Sequence, residues 1–415
     1  MSALHEVSNS AYAELRRLIA DEIKAESALA MSLAEIDGAV GQIIAGRVRQ
    51  HRIYLNQSEQ RQLTREIVDD MVRLGPLQVL MDDPEVSDIM VNGPQRVFVE
   101  KRGRLQPSGQ RFRDGEHLMN LAQRIAGGVG RRIDEASPMV DARLPDGSRV
   151  NIVAPPLALD GVCMSIRKFA RHAISLDGLV SRASLTQQMA DVLKLAARAR
   201  FNILISGGTG SGKTTLLNAL SQHIDANERI VTIEDAAELR LQQPHIVRLE
   251  TRPPSLEGRG EITQRDLLKN ALRMRPDRIL LGEVRGAEAF DMLQAMNTGH
   301  DGSISTLHAN SPADALLRLE NMLNMGVVNM PSALIHRQLA SAIDLLVQVE
   351  RAADGQRRVT RISAIVEADG DVRCVDVFAW RDSGEARTAH AVDFDDKLAS
   401  AGLIDAWREV LGERA

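Results

Sequence analysis

The chain has 415 residues, which suggests about three domains and is far beyond the size at which burying a core is difficult. Hydrophobic residues make up 44% and charged residues 26%, ordinary for a soluble globular protein. The balance of 51 Lys and Arg against 56 Asp and Glu, net −5, argues against a chain that coats nucleic acid with its whole surface, and 7 Phe, 2 Trp and 2 Tyr are too few for a base-stacking single-strand binder.

The N-terminal stretch carries acids early and no apolar run, so it does not read as a signal peptide. No stretch approaches the ~18 apolar residues of a membrane helix. A cytoplasmic protein is expected, with membrane contact made only through a partner. Cys163 and Cys374 are too few for a disulfide framework or a four-ligand zinc site. They are expected to be buried, free thiols in a reducing compartment.

Residues 1–75 read as a helical extension. Residues 12–26 and 31–50 have amphipathic helical spacing, as do Leu63, Ile67, Met71 and Leu74. Asn56 followed by Glu59 resembles a capping box, and Gly75-Pro76 ends the run. Residues 76–172 read as an α+β domain, with strand-like runs at 97–99, 148–153 and 162–167. Residues 96–172 hold 14 Lys and Arg against 8 Asp and Glu. Such a basic face is either solvated or meets an anion.

Residues 173–185 read as a linker. Over 186–350, strands at 201–206, 230–233, 279–281 and 304–307 alternate with helices starting near Lys213, Thr263, Ala287 and Ser311. That alternation predicts a mostly parallel sheet covered on both faces. Residues 351–415 read as a β-rich tail with runs at 359–367 and 372–380, then a short helix.

GGTGSGKT at 207–214 fits the phosphate-loop pattern G-x-x-x-x-G-K-[ST] between a strand and a helix. Gly207, Gly208, Thr209, Gly210, Ser211 and Gly212 form a turn whose amides face phosphate oxygens, and Thr215 continues it. The helix that follows offers its positive end to the same anion. Lys213 reaches the β- and γ-phosphates, and the Thr214 hydroxyl takes a place on Mg²⁺. The signal for nucleoside triphosphate binding is stronger than the signal for hydrolysis.

Hydrolysis needs a residue that handles water and a second hold on the metal. Glu234, followed by Asp235, ends one apolar strand, and Glu283 ends another. Parallel strands deliver such residues to one edge, the edge of the phosphate loop. Gly282 stands where many P-loop enzymes carry a metal-binding Asp, so the hold on Mg²⁺ is expected to run through water. His300 and His308 flank the strand at 303–307 and are candidates to sense a γ-phosphate. Small polar residues there, Gly302, Ser303 and Thr306, suggest close packing. Arg143, Arg149 and Arg167 are candidates to meet charge developing on phosphate.

Together GGTGSGKT, TIED, LLGEVRG and TGHDGSISTLHAN occur in an order and spacing that resembles the type II/type IV secretion ATPases. There they correspond to the Walker A motif, Asp box, Walker B motif and His box. DIMVNGP at 88–94, EASPMVDARLPDGSRVN at 135–151, SIRKF at 165–169 and ALRMRPDRILLGEVRG at 271–286 are most similar to the CpaF/TadA-type ATPases of tight-adherence (Flp) pilus assembly. The resemblance covers roughly residues 77–350. It implies a RecA-like P-loop ATPase domain behind an α+β N-terminal domain, and a homo-hexameric ring that hydrolyses ATP with Mg²⁺. The nucleotide would lie between the two domains.

The resemblance makes Lys213 and Thr214 ligands of phosphate and Mg²⁺, and Glu283 the preferred catalytic base. Glu234 competes for that role and shares the metal, and His308 and His300 are the His-box pair. Arg149 and Arg167, with Arg143 less clearly, reach the phosphates. The partner implied is an inner-membrane platform protein, with no direct nucleic-acid binding and no membrane insertion. Other readings are a conjugative secretion motor with the same boxes and a slow nucleotide-binding regulatory subunit. A small-molecule kinase fits less well, since no acceptor lid is visible.

Overall fold

The computed structural model describes residues 31–50, 55–169, 174–252, 254, 259–326, 330–352, 354–381, 384–387 and 394–412. The helix expected over 12–26 lies outside them. The chain divides into two compact units, Met1–Ala170 and Arg171–Ala415.

The described residues of the first unit open with helices α1 (Leu33–Gln50) and α2 (Gln57–Val72). Ile36, Val40 and Ile44 pack on Leu63, Ile67 and Val68, the apolar stripe that helical spacing lays on one face. Asn56 and Glu59 form the capping box in full. After the short α3 (Gln78–Asp82) come β1 (Val86–Asn92), β2 (Val97–Lys101) and β3 (Arg104–Pro107). Helix α4 (Gly115–Gly128) separates these from β4 (Met139–Arg143), β5 (Arg149–Val153) and β6 (Cys163–Arg167). The sheet is antiparallel throughout, in the order β3-β2-β1-β6-β5-β4.

One face of this sheet carries Val140, Val150, Ile152, Met164 and Ile166 into a core with Leu118, Leu121 and Ile125 of α4. Alternation turns the polar residues to the other face. The Arg124 guanidinium donates to the carbonyls of Asp70, Met71 and Arg73, tying α4 to the end of α2.

The second unit opens with α5 (Leu176–Ser181) and α6 (Gln187–Arg198). The segment expected as a linker thus carries a helix, because Leu176 and Leu179 are buried in the core. Then follow β7 (Ile203–Gly207), α7 (Lys213–Ser221), β8 (Ile230–Glu234), β9 (Ile246–Glu250) and α8 (Gln264–Ala271). Next come β10 (Arg278–Val284), α9 (Glu288–Asn297), β11 (Ile304–Leu307), α10 (Pro312–Gly326) and α11 (Ser332–Ala342). Strands β12 (Leu345–Arg351), β13 (Arg357–Ala368), β14 (Asp371–Arg381) and β15 (Gly384–Arg387) lead to α12 (Asp395–Ser400) and α13 (Ile404–Leu411).

All nine strands share one sheet, in the order β15-β14-β13-β12-β7-β11-β10-β8-β9. From β12 to β9 every pairing is parallel, and β13 to β15 extend the sheet antiparallel. Strands β13, β14 and β15 therefore continue the sheet of 186–350. One core holds Val192, Leu216, Leu220 and Trp407. The other holds Leu268, Leu293, Leu319 and Leu339. β7 and β8 are buried along their whole length, as strands covered on both faces must be.

Cys163 and Cys374 are free and lie in different units. Both are half-buried rather than buried. Burial, with Asp376 nearby, pushes the Cys374 thiol up to about 12, so it stays protonated. Among the described residues no helix is long and apolar enough to cross a membrane.

Candidate active site

The site is built at the carboxyl edge of the parallel strands. β7 ends at Gly207, where a Cβ would lie 2.2 Å from the Val349 carbonyl and 2.6 Å from Ser211 Oγ. Only glycine fits. Gly212 has φ +105°, caps α7, and gives it no side-chain cap, so the first amides of α7 keep their hydrogens aimed into the loop. Thr209 and Gly210 are exposed, Gly208, Thr214 and Thr215 are half-buried, and Ser211 and Lys213 are buried.

Lys213 folds back on its own loop. Its Nζ donates to the carbonyls of Gly207 (3.0 Å) and Gly208 (2.9 Å) and lies 3.3 Å from His308 Nδ1. Burial, then the Lys213 charge, lower the His308 pKa, against the pull of Glu283. A neutral imidazole accepts from Lys213 at Nδ1 and donates from Nε2 to Glu283 Oε1, 2.9 Å away. Glu283 Oε2 accepts from Arg285 at 2.7 Å, and the other arm of Arg285 lies 3.2 Å from Asp235. Four strand ends thus meet through Lys213, His308, Glu283, Arg285 and Asp235.

Glu234 differs from the solvent-exposed carboxylate common at strand ends. It is 2% exposed. Its Oε2 accepts from the amides of Glu238 (2.6 Å) and Leu239 (2.9 Å). Its Oε1 is buried and lacks a hydrogen-bond partner. Burial pushes its pKa up to about 7, against those two hydrogen bonds. An orphaned carboxylate oxygen is what a site for a cation leaves behind, so the residues fit Mg²⁺.

His300 is not brought to this cluster. It precedes β11 while His308 follows it, and four strand residues span roughly 13 Å. His300 Nδ1 lies 3.3 Å from the Ala295 carbonyl, at the opposite edge of the sheet. The small residues of that segment do pack closely. Ser303 Oγ donates to the His300 carbonyl, Thr306 Oγ1 donates to the Gly282 carbonyl (2.6 Å), and a Cβ at Gly302 would lie 2.6 Å from Arg278.

Arg143, Arg149 and Arg167 lie in the first unit. Register sets Arg143 opposite Arg149 and Arg149 opposite Arg167, a single rung of arginines on the polar face. Arg167 Nε lies 3.3 Å from Asp88. Like charges directly opposite repel.

The sequence reading missed Arg285, whose signal was its place two residues after Glu283. It also missed a cavity of about 110 Å³ beside the loop. Thr215 and Leu216 of α7, Leu179 and Arg182 at the end of α5, and Arg357 and Arg358 of β13 line it.

A parallel sheet with a glycine loop leading into a helix at its carboxyl edge, behind an α+β domain and a helical pair, is a RecA-like P-loop ATPase architecture. Residues 70–392 match the type II/IV secretion system protein family, and the chain belongs to it. It is an ATPase of the secretion and pilus superfamily.

The chain is 41% identical to the type IV secretion system protein PtlH of Bordetella pertussis over 314 residues, 69% of this chain and 91% of that protein. It is 35% identical to the conjugal transfer protein TrbB of Rhizobium radiobacter over 289 residues, 68% of this chain and 84% of that one. The X-ray structure of the Legionella pneumophila ATPase DotB shares the fold, with a TM-score of 0.52, 22% identity, and coverage of 71% of this chain and 80% of that one.

Proposed function

We propose that the chain is the ATP-driven motor of a tight-adherence (Flp) type IV pilus machine. It works as a cytoplasmic homo-hexamer on an inner-membrane platform protein. The observation that carries the motor reading is the linked set Lys213, His308 and Glu283 at the edge of the phosphate loop. The pilus reading is supported by the resemblance over 88–94, 135–151 and 271–286 and by the helical pair α1–α2.

On ATP binding Lys213 exchanges the two loop carbonyls for phosphate oxygens, and the amides of 207–215 cradle the same groups. Thr214, Glu234 and Glu283 would hold Mg²⁺, directly or through water, and the ion would supply charge against the phosphate oxygens. Glu283 accepts the proton of the attacking water. It is half-buried, and its carboxylate is aimed from both sides by His308 and Arg285. Glu234, whose pKa burial raises to about 7, competes for the base role. His308 loses its Lys213 donor when the lysine moves to phosphate, so it registers the nucleotide. Arg149 and Arg167, with Arg143, meet phosphate charge, and the cavity beside α7 takes the base. His300 has no role in this reading.

A second reading, a conjugative or effector-secreting type IV motor, is favoured by the names of the relatives PtlH and TrbB. Deleting the gene separates the two. Loss of surface pili supports the first reading, and loss of DNA or effector transfer with pili intact supports the second.

The motor itself is tested by ATP turnover per subunit against protein concentration, with mass by light scattering on the same samples. Turnover should rise as hexamers form. Flat, efficient turnover by a monomer would sink the ring motor. Glu283→Gln should keep ADP affinity and cut kcat by ~10²-fold or more. Near wild-type turnover would move the base role to Glu234.

A further inference from the structure

Gly282 stands immediately before Glu283, and its backbone is not left-handed, so its conformation does not require glycine. Its surroundings do. β8 and β10 run parallel with Ile233 opposite Leu281, which sets Glu234 beside Gly282. Such neighbours project from the same face of a sheet. A Cβ at 282 would lie 2.9 Å from Glu234 Cγ, 3.4 Å from its Cβ and 3.6 Å from its Cα. Those atoms are the stem of the side chain, not a tip that can swing away.

Neither partner is free to yield. The Gly282 carbonyl is held by Thr306 Oγ1 at 2.6 Å, from the neighbouring β11. The Glu234 carboxylate is held by the amides of Glu238 and Leu239. Its other oxygen is buried without a partner. The arrangement is over-determined around one acidic group and leaves one lone-pair direction open.

We propose that Gly282 is a positioning residue: its missing side chain is the slot in which Glu234 stands, so the acidic group that P-loop hydrolases carry on this strand to hold the metal is supplied instead from β8. Thr306 fixes the floor of the slot through the Gly282 peptide. Positions 282 and 234 are alternatives for one carboxylate, and the sheet has room for only one of them. The metal-holding part rests on the ATPase reading above; the steric part does not.

The test is a pair of single variants, Gly282→Ala and Gly282→Asp, and the double variant Gly282→Asp with Glu234→Ala, read against Glu234→Ala alone, all in the full chain. Two quantities are read. One is Tm without nucleotide or metal. The other is the ratio of fluorescent ADP affinity with Mg²⁺ to that with EDTA. Each single variant should lose about 5 °C of Tm, the cost of overpacking a close contact in a unit of this size. Gly282→Asp should also lose most of the Mg²⁺ tightening. The double variant should recover Tm to within about 2 °C of Glu234→Ala and regain part of the tightening.

Wild-type Tm and Mg²⁺ tightening in Gly282→Ala would overturn the slot. So would a double variant no better than Gly282→Asp. If the wild-type chain bound no nucleotide, the ATPase reading would fall, while the Tm cycle would still decide the slot.

Discussion

The two edges of the nine-stranded sheet handle buried polar groups in opposite ways. At the amino edge of the parallel strands Arg278, Asn202 and Asp344 are matched. Arg278 is fully buried and makes two 2.7 Å contacts with Glu228. A third goes to the Ala197 carbonyl at 2.7 Å. Asn202 donates to the Ala342 carbonyl and accepts from the amides of Gly302 and Ser303. Asp344 accepts from the Asn202 amide and from Lys397. At the carboxyl edge Glu234 Oε1 and Ser211 Oγ are buried without partners, and Lys213 turns to carbonyls of its own loop. One edge puts its hydrogen bonds into stability. The other keeps open the valences a phosphate and a cation would fill.

The largest expected effect falls at the matched edge. Arg278→Met leaves the half-buried Glu228 beside only the exposed Arg200, and should cost about 3–5 kcal/mol in urea unfolding. ADP affinity of the folded fraction should stay within about twofold, since the edges are separate. A large loss of affinity per folded molecule would show that the edges are not independent.

One glutamate from each edge gives the second test, because the shifts of Glu228 and Glu234 have opposite sign. Burial alone would raise Glu228, but its hydrogen bonds and charges with Arg278 and Arg200 bring it below the usual carboxylate range. Its stabilisation is present above the ordinary carboxylate pKa and is lost as pH falls through its own. Glu234 is raised from 4.5 to about 7. Its stabilisation is full below 4.5 and is lost as pH rises through about 7. Without metal or nucleotide, Glu234→Gln should therefore match wild type near pH 4.5. It should gain with rising pH and level off above pH 7, at a gain on the order of 3 kcal/mol. Denaturant midpoints across that range read it directly. A constant difference at all pH values would mean that the carboxylate is not desolvated.

The sheet's parallel half was legible because buried strands read as short apolar runs between helical periods. That is how 201–206 and 230–233 stand out. β9 did not, because Ile246–Glu250 is a half-exposed edge strand that follows a polar stretch. The continuation of the sheet into β13 and β14 was hidden too, because strand pairing is not a local property. The phosphate loop and Glu283 were legible because their chemistry is written in contiguous residues. His300 misled because the segment that contains it is contiguous in sequence while a strand carries its ends apart. The slot between Glu234 and Gly282 depends on register across two strands nearly fifty residues apart. No spacing rule reports it.

The arginine rung offers the smallest stability effect and the sharpest separation of stability from function. Arg143, Arg149 and Arg167 are six and eighteen residues apart in sequence, and only antiparallel register lines them up. Arg149 is the middle member and stands opposite both others. Removing it relieves like-charge repulsion and gives up whatever its side chain holds, so Arg149→Ala should change unfolding free energy by less than about 0.5 kcal/mol. Any gain should shrink as salt rises, because exposed charges are screened beyond about 10 Å at 0.1 M. Turnover should behave differently. If the rung meets charge that develops on the phosphate, kcat should fall by more than ADP affinity, since only groups that bind the transition state better than the ground state accelerate the step. Equal losses in kcat and ADP affinity would make it a ground-state anion site. No loss in either would make the rung a solvated surface, and the unmatched carboxyl edge of the second unit would then have to account for catalysis alone.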